Sequence, residues 1–155
     1  MSDLVTRRDQ DGVAILSLAA PQTLNALSTP MLAALADRLA ALADAPDIRA
    51  VILRAEGKAF CAGHDLKEIQ ALRAAPDGGR AGLQALFDRC SALMQQVAAL
   101  PQPVIAQVQG VATAAGCQLA CSCDLIVASD TARFGVNGIN LGLFCSTPAV
   151  ALSRR

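Results

Sequence analysis

Two short stretches hold the residues whose types and spacing could do chemistry: AFCAGHDL at 59–66 and GVATAAGCQL at 110–119. In each, an apolar run gives way to small residues and then to residues suited to start a helix. The first N–H groups of a helix have no intrahelical acceptor and carry positive potential. Ala59, Ala62 and Gly63 in one stretch, and Ala114, Ala115 and Gly116 in the other, keep side chains clear of such N–H groups. Each stretch alone also reads as ordinary structure. The first can be a strand-to-helix turn whose glycine meets a backbone angle, and the second can be close packing of a helix on a sheet. Together, two helix starts that follow buried strands can aim two N–H groups at one oxygen. That arrangement suits an enolate or a tetrahedral intermediate formed from a thioester. Where an acid or base would be needed, the second stretch has Gln118, a neutral amide.

The elements that must position these stretches follow from pattern. Strands are predicted at 4–8 and Val13–Leu18, joined at Asp11-Gly12. Thr29 is expected to cap a helix with Pro30 in its first turn. Met31, Leu32, Leu35, Leu39 and Leu42 give that helix an apolar stripe, and Pro46 closes it. The run AVILRA at 50–55 predicts a strand buried on both faces, and 57–63 a loop. Asp65, with Glu68 three residues on, predicts a helix start. A long helix follows the break at 76–79, with Leu83, Leu86, Phe87, Cys90, Leu93, Met94 and Val97 on one side. Further strands are predicted at 104–108, 125–128 and 132–135, with a small-residue helix at 114–122 and another helix from Thr147. Strands alternating with helices argue an α/β fold in one domain, 1–155.

Composition narrows the function. Apolar residues make up 54% of the 155-residue chain and charged residues 17%. That excess predicts apolar surface meant for a partner or for a further piece of protein. Thirteen basic residues balance thirteen acidic ones, and Trp and Tyr are absent, so no nucleic-acid partner is expected. The first residues lack the apolar core of a secretory signal, and the longest apolar run, 111–121, is too short to span a bilayer. The expectation is no membrane partner and a cytoplasmic location, where the six cysteines are thiols. Cys117, Cys121 and Cys123 cluster, but no second pair follows and His64 is the only histidine, so no metal site is expected.

The chain resembles the crotonase superfamily, also called the enoyl-CoA hydratase/isomerase family. The resemblance is carried by TLNAL at 23–27, AVILRAEGKAFCAGHDLKE at 50–68, PQPVIAQVQGVATAAGCQLACSCDLIVAS at 101–129 and FGVNGINLGL at 134–143. These pieces run in the family's order and spacing. The resemblance implies a spiral of ββα turns, lyase-class chemistry of fatty acid metabolism and an acyl-CoA thioester ligand, with coenzyme A as part of the substrate and no separate cofactor. It implies an oxyanion hole made by the backbone N–H groups of His64 and Ala115. It places coenzyme A along Ala62, Gly63, Asp65 and Leu66, with Gly116 also against the substrate, and implies homotrimers or hexamers.

Two departures from the family pattern stand out. A hydratase of the family uses two glutamates, which fall here at Gln118 and Gly138. A carboxylate can take a proton from water, whereas an amide or a bare glycine cannot. Weak hydratase activity is therefore expected. An acyl-CoA decarboxylase or isomerase using the same oxyanion hole, and a non-catalytic acyl-CoA-binding or interaction module, are the alternatives. His64 can contribute its imidazole or only its N–H. Asn137 and Asn140 can line a pocket or form a turn, Cys145 has no evident activating base, and Asp124 is expected to serve structure. Family members also continue with helices that complete the acyl pocket, so the core is expected to be incomplete at its C-terminus.

Overall fold

Strand β1 (Val5–Gln10) turns at Asp11 and Gly12 into β2 (Val13–Leu18). Both turn residues take positive φ, 52° and 78°, as a two-residue hairpin requires. The structure is a computed structural model that describes residues 3–142 and 144–154. The hairpin is antiparallel; every later pairing in the same sheet is parallel. β2 pairs with β3 (Ala50–Ala55), β3 with β5 (Val104–Val108), and β5 with β7 (Leu125–Ala128). A second parallel sheet has the order β4 (Ala59–Cys61), β6 (Val111–Thr113), β8 (Arg133–Gly135).

The chain therefore repeats one plan: a strand for the larger sheet, a strand for the smaller one, then helix. β3 and β4 lead into α2 (Leu66–Arg73) and α3 (Arg80–Ala99), and β5 and β6 lead into α4 (Ala115–Ser122). β7 and β8 lead into a 3-10 turn at Asn137–Leu141 and then α5 (Ser146–Ser153). This is the spiral of ββα turns that the family resemblance implies. β4 lies inside the stretch expected to be a loop, and β6 was not expected at all. Strands of three residues carry too few positions to show a period.

Helix α1 (Thr29–Ala43) follows the hairpin and buries Met31, Leu32, Leu35, Leu39 and Leu42, the whole expected stripe. Its cap is Ser28, whose hydroxyl accepts from the Met31 N–H at 3.3 Å, and not Thr29. Thr29 is the first helical residue, and its N–H donates to the Glu68 carboxylate of α2 at 2.8 Å. Glu68 thus reaches across to another helix, while Asp65 alone caps α2 by accepting from the Lys67 N–H at 2.9 Å. α3 buries Leu86, Cys90, Leu93, Met94 and Val97, and Phe87 stays partly exposed. The core joins these residues to Leu16, Leu18, Val51, Leu53, Val104 and Ala106 from the larger sheet. β3 is not buried on both faces as expected. Val51 and Leu53 face the core, Ile52 is half-buried and Arg54 is exposed, giving its Nε to the Ser17 hydroxyl at 2.9 Å.

Candidate functional site

The site is assembled by a buried asparagine that the TLNAL segment supplies. Leu24 and Asn25 both take left-handed φ, 54° and 53°, which turns the Asn25 side chain inward. Its Oδ1 accepts from the Ala20 N–H at 2.9 Å, and its Nδ2 donates to the carbonyls of Glu56 and Ala59, both at 2.9 Å. Gln109 adds a donor to the Gly57 carbonyl at 3.0 Å and to Ala59 at 3.2 Å. The same segment then receives the loop backbone: the Ala62 N–H donates to Leu24, and the Leu27 N–H to Gly63 at 2.7 Å. Asn25 is fully buried, so its amide is worth more here than on a surface.

Gly63 is where the two candidate cradles meet. It takes φ of 93°, and a Cβ there would sit 3.0 Å from the Ala114 Cβ, 3.2 Å from the Thr113 carbonyl and 3.5 Å from the Ala115 nitrogen. A side chain there would be crowded, in a backbone conformation that L-residues rarely adopt. The first N–H of α4 therefore lies against the backbone just before His64. Among the described residues, neither the His64 N–H nor the Ala115 N–H has a hydrogen-bond acceptor. Ala115 is buried, so an N–H left open there has a cost that a bound oxygen would remove.

Around this seam the backbone is held from the third turn of the spiral. The Ala114 N–H donates to the Gly135 carbonyl at 2.8 Å, and the Thr113 hydroxyl donates to the same oxygen at 3.2 Å. Ala114 itself takes φ 50° and ψ −124°, a conformation that L-residues rarely adopt. Gly116 is buried against β4, where any Cβ would collide with the Cys61 carbonyl. Its place in the fold is close helix–strand approach. Ala62 is half-buried beside the seam, the Asp65 side chain is spent on the cap of α2, and Leu66 is 53% exposed.

The His64 side chain is turned into the protein. Its Nδ1 lies 3.3 Å from the Leu27 carbonyl, which can only accept, so Nδ1 carries the proton. The ring meets Phe87 edge-on, with centroids 5.2 Å apart and planes at 86°. Burial pushes the imidazole below its ordinary pKa, against an opposing pull from the Leu27 hydrogen bond and the Glu68 charge. Gln118 lies one turn along α4 from Ala115. Its Oε1 accepts from the Thr147 hydroxyl of α5 at 2.9 Å. Thr147 has no distinctive spacing, and the sequence offers it only as a helix start. Gly138 is buried in the 3-10 turn after β8 and brings no side chain. Asn137 is on the same turn and exposed; the side chain of Asn140 lies outside the described residues.

Asp124 serves the backbone. Its carboxylate accepts from the Val104 N–H at 2.7 Å while its own N–H donates to the Val104 carbonyl at 2.8 Å. Cys117 and Cys61 are buried thiols pushed up to about 11 and about 12 by desolvation, which leaves them unreactive. Among the described residues no cluster could hold a metal ion, and no helix is long and apolar enough to cross a membrane.

The family model for enoyl-CoA hydratase/isomerase matches residues 8–154. This chain belongs to that family. It is 46% identical over 151 residues to enoyl-CoA hydratase domain-containing protein 3, mitochondrial, of Xenopus laevis, covering 97% of this chain and 50% of that protein. A crystal structure of an enoyl-CoA hydratase from Mycobacterium smegmatis superposes with a TM-score of 0.91 at 56% identity, covering 99% of this chain and 58% of the other. That of human enoyl coenzyme A hydratase domain-containing protein 3 gives 0.90 at 44%, covering 97% and 58%. The chain thus has the crotonase fold and spans about half the length of the curated relatives it matches. The cytoplasmic expectation does not stand, because the relatives from frog, rat and human are named as mitochondrial proteins. It rested on the lack of a secretory apolar core, a feature that says nothing of import into mitochondria.

Proposed function

We propose that this chain binds an acyl-CoA thioester, with the thioester oxygen held by the N–H groups of His64 and Ala115, and that it hydrates enoyl-CoA weakly. The observation that carries the reading is the seam at Gly63. It sets the Ala115 nitrogen against the backbone before His64, and among the described residues both N–H groups lack an acceptor. Two such donors stabilise negative charge on a thioester oxygen, and losing one costs ~3 kcal/mol of transition-state stabilisation in well-studied acyl-transfer sites. In this reading coenzyme A runs past Ala62, Gly63, Asp65 and Leu66, and the subunits associate as trimers.

Hydration needs more than that oxygen. A water must lose a proton and the α-carbon must gain one, and each well-placed acid or base is worth ~10²–10⁴-fold. Gln118 and Gly138 stand where the family pattern puts those groups, and neither can carry a proton. The His64 imidazole gives its Nδ1–H to Leu27 and packs edge-on against Phe87, which holds the ring toward the protein. The test is crotonyl-CoA hydration followed by loss of the enoyl absorbance, beside binding of the same thioester by equilibrium dialysis. Binding with slow turnover is expected, and Gln118→Glu alone should restore little while position 138 stays Gly. Turnover at the rate of an efficient hydratase would refute the weak-hydratase reading. Failure to bind any CoA thioester would refute the binding reading.

A further inference from the structure

We propose that the acyl groups taken by this site carry a carboxylate, read by Gln118 and Arg154 in a groove between α4 and α5; the inference rests on the acyl-CoA reading above. The groove has a volume of about 370 Å³ and is lined by Gln118, Ser146, Thr147, Val150, Ala151 and Arg154. Its wall is mainly apolar, and its polar side chains are Gln118, Ser146, Thr147 and Arg154, none of them acidic. The Thr147 hydroxyl donates to Gln118 Oε1 at 2.9 Å, so the acceptor end of the amide is already used. The Nε2 end is left with two N–H groups to offer. Arg154 brings a planar guanidinium that matches a carboxylate two bonds at a time, and Ser146 brings a further hydroxyl. No acidic side chain lines the groove, and among the described residues none pairs with Arg154. Val150 and Ala151 supply apolar wall for methylene groups.

Place matters as much as donor type. Gln118 is three residues beyond Ala115, so it lies on the same side of α4 and ~4.5 Å further along its axis. An acyl chain whose carbonyl oxygen sits at the Ala115 N–H therefore meets this groove within a few carbons. A plain alkyl chain would desolvate the Gln118 amide and Arg154 without replacing their hydrogen bonds. A carboxylate would satisfy both. In this view the Gln118–Thr147 pair is a positioning device: the hydroxyl fixes which end of the amide faces the ligand.

The test is equilibrium dialysis of the 155-residue chain with thioesters matched in carbon count: malonyl-CoA against propionyl-CoA, and glutaryl-CoA against pentanoyl-CoA. In at least one pair the carboxylate-bearing member should bind about tenfold tighter or better, as expected for charge-assisted hydrogen bonds. Arg154→Gln, an exposed change, should shrink that ratio. Thr147→Val should shrink it too, and Thr147→Ser, which keeps the hydroxyl, should retain it. Ratios within about twofold in both pairs, or ratios untouched by Arg154→Gln and Thr147→Val, would overturn this inference and leave the acyl-CoA reading standing. Failure to bind any of the four thioesters would overturn both.

Discussion

At the scale of single residues, Asn25 and His64 show how a polar group buried for structure ends up shaping a site. Asn25 makes three hydrogen bonds, two of them to the carbonyls of the segment that leads to Gly63. Asn25→Ala would strand one N–H and leave the Glu56 carbonyl short of its donor, in a left-handed backbone that alanine tolerates poorly. A loss of about 3 kcal/mol or more is expected in urea unfolding. Asn25→Asp should fare no better, since it keeps the acceptor and discards both donors. His64, the only histidine, gives a pH signature. Its folded pKa lies below the ordinary 6.5, so the unfolded chain takes up the proton first as pH falls. The stabilisation is therefore present above pH 6.5 and drains away below it. Thermal melts between pH 7.5 and 5.5 should show the midpoint falling, and His64→Gln should flatten that slope; an unchanged slope in the variant would count against a buried neutral imidazole. The TLNAL segment could be recognised as a family piece from sequence, but nothing in its pattern tells that Asn25 is the clasp. Its partners are backbone carbonyls, which leave no mark on composition.

At the scale of elements, the long pieces were legible, and of the short strands β7 and β8 were legible while β4 and β6 were not. α1 and α3 announce themselves through apolar stripes, and β2, β3 and β5 through apolar runs. β4 and β6 have three residues each, yet they carry the chain straight into the two cradles. The cap of α1 moved from Thr29 to Ser28 because the Thr29 N–H is drawn to Glu68, a partner thirty-nine residues away. The joint between β6 and α4 is where strain collects. Ala114 sits at φ 50° and ψ −124°, worth about 1–3 kcal/mol for a residue with a Cβ. Glycine would relieve that strain and give back about 0.5–1 kcal/mol through the freedom of the unfolded chain. Ala114→Gly should thus raise stability by about 1 kcal/mol in denaturant unfolding, and Ala114→Val should lower it. A destabilised Gly variant would show that the Ala114 methyl, not its backbone angle, dominates at the joint. The contact between α4 and α5 was beyond sequence reasoning for another reason. Its side-chain hydrogen bond comes from Thr147, a common residue with no periodic or spaced companion.

At the scale of the whole molecule, the surface is more apolar than a solitary domain favours. On β7, Leu125 and Val127 are each 61% exposed, and nearby in sequence Ile139 and Phe144 reach 72% and 84%. Water against such faces costs roughly 25 cal/mol per Å², and a few hundred Å² rivals the ~5–15 kcal/mol that holds a domain together. The isolated chain should therefore self-associate or melt early. Size-exclusion chromatography with light scattering, joined to a thermal melt, checks this; a compact monomer with a sharp, high transition would refute it. The excess of apolar residues was plain in composition, whereas which strands would bear it depended on the order of the two sheets.

The clasp and the seam also set a timetable. Asn25 reaches forward 31 and 34 residues, the two halves of the cradle meet across Gly63, and Gly135 must arrive before Ala114 is held. Contacts that close such long loops form late, after the local hairpin and helices have been made. A ribosome extruding this chain would thus release its first hundred residues with half a cradle. The seam between the two halves could be complete only once the strand ending at Gly135 had emerged, so a ligand held there would act on the finished fold and never guide its assembly.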